Sequence, residues 1–583
     1  MPTAIETLLN VAQKWREREP DDAFVEVIDQ LIAQGNFDEL RGYFEDELHF
    51  GTAGLRGAVG WGSGCVNDAT VARATWALAQ FLLRRAIEAV REPLVVIVGF
   101  DARPDSARLA QLAAQVLSGL GLTACVASEP VPTPLIAFLV RERGAQAGIV
   151  ITASHNPRGD NGMKVYDEMG VQISSPWDTE IAQLMQEFPA LEGVSRDQKN
   201  IRILSDEDSR RYLDYVASAA RMYVPDMPIG AFSIAYTPLH GVGGAWVTHA
   251  LAESAAHLKV VCVTEQAQPD GTFPTTPFPN PEEDGALDLL RATTLREQCA
   301  LAFANDPDAD RFAACIRDPQ AHLIQLSGDA LGLLFADVCL SVTKHPEPVL
   351  VSTIVSSPAL ERLATGRKAQ VHRTLTGFKW LCRAALREPQ FVFAYEEALG
   401  YCFAPPPGQP GVMDKDGIVA AVILARMLAA SGDAQGIFGR LTRLYCELGL
   451  WTSMSVSRRF VDDEKLSAQA AMVQHMNQLR QQGLKLGDGW ILTASQDYLI
   501  GAESRPDYLG AQDLLSYEFR RDSQHVHEPD YARILIRPSG TEAKLKAYVH
   551  LHAAFAGAEP FTTVDQRLQA LAMKIGAAAL SII

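Results

Sequence analysis

Three aspartates, Asp306, Asp308 and Asp310, alternate with Pro307 and Ala309 directly behind the apolar run "LAFA". Carboxylates so close repel one another unless a cation lies among them, and oxygen-only ligands suit a hard ion such as Mg²⁺. An EF-hand is excluded, because Arg311 and Arg317 stand where that loop needs its glycine and its closing glutamate. The alternative is an acidic surface turn. The apolar runs on both sides and the intervening proline argue against it.

A second polar loop, "ITASHNPRGDNGMKVY", puts Ser154 at the end of the apolar run "AGIVITA". No G-x-S-x-G elbow and no G-x-x-x-x-G-K-[ST] loop occurs in the chain, so neither a hydrolase serine nor a P-loop is indicated. Ser154 instead stands among groups that bind phosphate: Arg158, Lys164, and the backbone at Gly159 and Gly162. The loop "RPSGTEAK" offers the Arg537 guanidinium, the hydroxyls of Ser539 and Thr541, and the backbone at Gly540, a set able to wrap a phosphate. "YEEALGY" sets Glu396 and Glu397 at a strand end, where carboxylates can accept from sugar hydroxyls. "TLTGFKW" ends another run with Gly377 and Lys379.

The elements that must hold these loops repeat. "PLVVIVGFDARPDSARLAQLAAQVL", "AFSIAYTPLHGVGGAWVTHALAES" and "EPVLVSTIVSSPALERLA" each read as an apolar strand, a short polar loop and a helix. That pattern predicts three related α/β domains, with the chemical loops at the carboxyl ends of strands. Beyond about residue 450 the pattern changes to polar helix, strand, loop and alternating strand, which predicts a separate α+β domain. The expected segments are 1–205, with an N-terminal helical extension; 206–322, with the aspartate loop; 323–450, with "YEEALGY"; and 451–583, with "RPSGTEAK".

Length and composition agree with a multidomain globular chain: 583 residues, 48% hydrophobic and 21% charged. The formal charge of −18 disfavours nucleic acid and anionic membrane as partners, so an anionic substrate needs a local cationic pocket. The nine cysteines are scattered, with no C-x-x-C, which suits free thiols in a reducing, cytoplasmic compartment. No run approaches the roughly 20 apolar residues of a membrane span.

Together these loops resemble the α-D-phosphohexomutases, in order and across nearly the whole chain. "FGTAGLRG", "GFDAR", "TPLHGVGG", "FPNPEE", "TLTGFKW" and "MDKDG" are similar to the phosphoglucomutase and phosphopentomutase subgroup. One departure is Ala543, where many relatives carry proline. The resemblance implies that Ser154 is phosphorylated and that Asp306, Asp308 and Asp310, with Ser154, hold Mg²⁺. It makes Lys164 the first candidate for proton acceptor and His155 the second, with Arg56 and Arg311 in the catalytic cleft. Arg103, Gly377, Lys379, Glu396, Arg537, Ser539, Gly540 and Thr541 would bind substrate. The implied reaction moves phosphate between C1 and C6 of a hexose, glucose first, through a sugar 1,6-bisphosphate. Phosphopentomutase, phosphomannomutase and glucose 1,6-bisphosphate synthase are the alternatives within the family. A Mg²⁺-dependent phosphatase using Asp306 as nucleophile leaves Ser154 without a task, and a non-catalytic sensor has no need of the complete set. The protein is expected to act as a monomer or weak homodimer.

Overall fold

In the computed structural model of the protein, every residue is described except 1–3, 18–21, 45–46, 52–53, 90–92, 190, 226–231, 256, 434, 462–466, 488, 523–525, 540–542 and 582–583. Contacts divide the chain into two compact units. One is Met1–Cys315 with Gly400–Ala434, and the other is Ile316–Leu399 with Gln435–Ile583. The segment boundaries read along the sequence are thus not the divisions made by contact, because a late segment returns to the first unit.

Three triads of parallel strands carry the architecture. In the first unit Val95–Phe100 lies between Thr123–Val126 and Ala147–Ile151, and Phe232–Thr237 lies between Leu258–Cys262 and Leu301–Ala304. In the second unit Val349–Thr353 lies between Gln370–Thr374 and Phe391–Glu396. The central strand of each triad opens one of the three repeated sequence segments, as expected of related α/β domains. Strands such as Ala147–Ile151 and Leu301–Ala304 are buried throughout, the near-continuous apolar runs of sheets covered on both faces. The third strand of each triad runs straight into a polar loop: Ser154 follows the first, Asp306 the second, and Glu396 and Glu397 end the third.

The first sheet is extended by Asp160–Asp167, antiparallel to Ala147–Ile151, and by Leu55–Ala58 beyond it. Val150 faces Lys164 and Gly162 faces Arg56 in this register, so two cations enter beside the serine loop on neighbouring strands. Helices Ala4–Arg16, Asp22–Gln34 and Phe37–Phe44 enclose their own core of Leu8, Ala12, Phe24, Ile28, Leu31, Leu40 and Phe44. Helix Gly417–Ser431 is apolar all round and packs on helices Asp206–Tyr223 and Gly243–Ser254 of the first unit. Its buried Arg426 donates to the carbonyls of Val224 and Ser254.

The C-terminal part of the second unit is a wholly antiparallel sheet in the order Leu450–Arg459, Lys544–Ala553, Pro529–Pro538, Leu515–Arg520, Ile491–Asp497. Helix Phe561–Ser581 packs on its first two strands. This is the expected α+β domain. The "RPSGTEAK" loop joins Pro529–Pro538 to Lys544–Ala553.

Candidate active site

Ser154 is buried and adopts φ +53°, the left-handed region that non-glycine residues rarely occupy. Its backbone N–H donates to Thr152 Oγ1 at 2.8 Å, and Thr152 Oγ1 donates to Asp101 Oδ2 at 2.7 Å. The Ser154 hydroxyl donates to Asp306 Oδ2 at 2.8 Å and lies 3.2 Å from His155 Nδ1. Serine loop and aspartate loop therefore meet, although the sequence separates them by 152 positions.

Lys164 Nζ donates to Asp308 Oδ2 at 2.5 Å and to Asp310 Oδ2 at 2.6 Å. Lys415 Nζ stands 3.3 Å from Asp310 Oδ2 and 3.5 Å from Asp414 Oδ1. Thr133 donates to Asp308 as well. The three aspartates are fully buried and can offer ligand oxygens within 4.8 Å of one another. Asp308 Oδ1 and Asp310 Oδ1 are buried without a hydrogen-bond partner. Two orphaned carboxylate oxygens beside a serine hydroxyl suit a hard divalent cation, so this donor set fits a metal ion.

Burial, reinforced by Asp308 and Asp310, pushes the Asp306 carboxyl up to about 8. Burial also works against the Asp310 carboxylate, but Lys164, Lys415 and Arg311 outweigh it and hold Asp310 well below the usual range. Burial, with Arg311 and Arg56 close by, pushes His155 far below its ordinary value, which leaves a neutral imidazole beside Ser154. Arg56 Nη1 also reaches Asn156 Oδ1 at 3.4 Å, and Arg311 Nη1 lies 3.6 Å from Glu282. The loop's backing is tight. A Cβ on Gly241 of "TPLHGVGG" would meet Pro307 Cα at 2.4 Å, and one on Gly417 of "MDKDG" would meet the Arg311 carbonyl at 2.3 Å.

Arg103, expected in the cleft either as a substrate ligand or as a structural ion-pair partner, is paired with Asp101 in the structure. It is buried, and all five of its N–H groups are used within the protein. Nε donates to Asp101, Nη1 to the carbonyls of Pro157 and Asp160, and Nη2 to those of Ser154 and Asn156. No donor remains for a substrate, and the side chain instead pins the serine loop. Lys164, expected to accept a proton, is likewise bound as a donor between two carboxylates.

The second unit holds the remaining expected groups. Gly377, at φ 111°, precedes helix Phe378–Ala385, in which Lys379 is buried with Nζ 5.8 Å from the Trp380 ring centre. Glu396 ends its strand, and Glu397 accepts from Thr353 and Ser356 at 3.0 and 3.1 Å. Arg537 donates to the Tyr548 hydroxyl at 3.0 Å, and the Ser539 N–H donates to the Lys544 carbonyl at 2.7 Å. Gly540 and Thr541 lie outside the described residues.

Several groups here were not singled out from sequence: Lys415, Asp101, Thr133 and Thr152. Lys415 and Asp101 sit inside "MDKDG" and "GFDAR", whose charged residues were the available signal. Thr133 carried none.

Models of the phosphoglucomutase/phosphomannomutase α/β/α domains I, II and III match residues 47–190, 210–319 and 327–445. A protein named "Probable phosphomannomutase" from Haemophilus influenzae is 32% identical, covering 83% of this chain and 92% of that protein. Human phosphopentomutase is 29% identical over 94% of this chain and 92% of its own. A phosphoglucomutase of Staphylococcus saprophyticus is 29% identical over 88% and 92%. In fold, the chain is similar to the open form of Paramecium pp63/parafusin, a phosphoglucomutase, with a TM-score of 0.63 at 18% identity, covering 92% of this chain and 96% of that one. Three repeated α/β domains, a fourth domain and a serine set against buried aspartates define a phosphomutase, an isomerase that works by phosphoryl transfer. The chain belongs to the α-D-phosphohexomutase family, in its phosphoglucomutase-like branch.

Two outcomes follow from this geometry. Because the folded Asp306 carboxyl titrates above its unfolded value of 3.8, its stabilising contribution is complete below about pH 4 and is lost as pH rises towards about 8. In chelator, Asp306→Asn should gain melting temperature relative to the wild type as pH rises from about 5 to about 8. Arg103→Lys, which keeps the charge but not the five-donor fork, should lower kcat about 10²-fold with little change in KM, through a misplaced Ser154.

Proposed function

We propose that this phosphomutase moves phosphate between C1 and the terminal carbon of an aldose phosphate, with glucose 1-phosphate and glucose 6-phosphate as its first substrate pair. The observation that carries the reading is the Ser154 hydroxyl, buried and donating to Asp306 at 2.8 Å within a cluster of four cations, Arg56, Lys164, Arg311 and Lys415. Ser154 stores the phosphoryl group. The sugar hydroxyl oxygen bonds to phosphorus as the Ser154 Oγ–P bond breaks. The hydroxyl proton passes to Lys164 or His155, and Ser154 Oγ leaves with the bonding pair and takes up a proton. The resulting sugar bisphosphate turns and returns its other phosphate to Ser154 by the reverse step.

Asp306, Asp308, Asp310 and Ser154 Oγ would hold Mg²⁺, which supplies charge stabilisation to the transferring group. Neutral His155 has a lone pair to offer, but burial with Arg311 and Arg56 works against its protonated form. Lys164, which donates to Asp308 and Asp310, must first pass a proton on before it can accept one. Lys379 and Glu396 contact the sugar, and Arg537, Ser539, Gly540 and Thr541 grip the phosphate that is not reacting. All nine cysteines are free, in keeping with a reducing, cytoplasmic compartment.

A second reading, phosphopentose as the preferred substrate, is favoured by the 29% identity to human phosphopentomutase over 94% of the chain. Side-by-side kcat/KM values for glucose 1-phosphate, mannose 1-phosphate and ribose 1-phosphate rank the two readings. Incubation with a sugar bisphosphate should add one phosphoryl mass to the Ser154 peptide, and Ser154→Ala should abolish both the adduct and turnover. Free phosphate as the main product, with no adduct, would make the protein a phosphatase. Lys164→Ala should lower kcat by about 10²–10⁴-fold, and near-normal turnover would remove Lys164 as the base.

A further inference from the structure

The second unit contains a cavity of about 750 Å³ lined by helix Ala359–Gly366 and by side chains of the C-terminal sheet. None of its lining residues belongs to the candidate catalytic or substrate loops. Its walls carry three carboxylates and three guanidiniums, but the two sets are not equivalent. Each carboxylate already has a partner. Glu361 accepts from Arg373, Glu447 accepts from Arg367 at 2.5 and 3.0 Å, and Glu518 is hydrogen-bonded to Tyr531.

The guanidiniums are left over. Arg533 donates through Nη2 to the Ser356 carbonyl at 2.5 Å, while its Nε is buried without a hydrogen-bond partner. Burial and the neighbouring Arg373 both work against its charge. Arg520 lies 5.4 Å from the centre of the Tyr531 ring, and no ion pair is formed by Arg520 or Arg362 among the described residues. Guanidiniums without a carboxylate partner around a metabolite-sized hollow are notable in a chain of net charge −18. Guanidinium forks match phosphate oxygens, and a buried N–H without an acceptor is a group that such an oxygen would satisfy.

We propose that this cavity is a second ligand site, selective for a small phosphate ester and built on Arg362, Arg520 and Arg533. Arg533 and Arg537 are four residues apart on strand Pro529–Pro538, and so point to the same face of the sheet. A ligand held by Arg533 therefore sits on the strand that delivers Arg537, although Arg537 itself does not line the cavity. The assignment rests on the cavity and its charges, and stands whichever sugar the enzyme prefers.

Calorimetric titration of the full chain with glycerol 3-phosphate, at physiological salt, tests the site. Arg362 and Arg520 are exposed, so Arg362→Glu/Arg520→Glu should fold and should weaken binding at least about tenfold. Arg533→Met should do the same, whereas Ser154→Ala and Arg537→Ala should leave the event in place. Inorganic phosphate should bind more weakly than the ester. An isotherm unchanged by the double reversal, or abolished by Arg537→Ala alone, would overturn the proposal, and equal affinity for inorganic phosphate would overturn its selectivity for an ester.

Discussion

Three fully buried carboxylates within 4.8 Å of one another are the constraint around which the first unit is organised. Isolated, they would repel and lose their charge, as the rise at Asp306 records. They persist because cations arrive from separate parts of the chain. Lys164 comes from strand Asp160–Asp167 of the first sheet and Lys415 from the loop that caps helix Gly417–Ser431. The balance is uneven because the neighbours differ: Asp310 faces two lysines and stays charged, while Asp306 faces the serine. Both Asp306 oxygens accept hydrogen bonds, while Asp308 and Asp310 each keep one oxygen without a partner.

The serine loop illustrates a different kind of control. A left-handed backbone at a non-glycine residue is costly, and persists only where the surroundings over-determine it. Here four loop carbonyls converge on the Arg103 guanidinium, and Asp101 orients that guanidinium together with Thr152 and Ser106. The Ser154 loop is held in place by a guanidinium whose five donors are all used within the protein. A loop rich in polar groups is thus tied together through its own carbonyls, four of which accept from one guanidinium.

Much of this was legible in the sequence, and the reason is local. An apolar run followed by an abrupt polar turn marks a strand end, so Ser154, the aspartates and Glu396 could be placed at carboxyl ends before any coordinates. Long-range pairing left weaker traces. Arg103 looks the same in sequence whether its fork meets a ligand or the chain's own carbonyls, and only the five acceptors decide. Lys415 was visible as a charged residue in a short motif, but its approach to Asp310 spans more than a hundred positions. Thr133 opens a helix that is apolar up to Arg141, and betrays nothing of its bond to Asp308. The return of Gly400–Ala434 to the first unit follows from packing of a helix that is apolar but for Arg426 and Ser431, and whose composition shows it to be buried but not where.

That return has a consequence for how the protein is made. As the chain leaves the ribosome, residues up to Cys315 emerge long before Lys415 and the helix behind it, with Ile316–Leu399 in between. Synthesis at about 5–20 residues per second separates the two by several seconds. Through that interval the nascent first unit lacks one of its lysines and an apolar packing face, so it must wait, exposed, for a late insertion. Nascent-chain pauses or chaperone contacts would matter most there, between the emergence of the acidic trio and the arrival of its distant counter-charge.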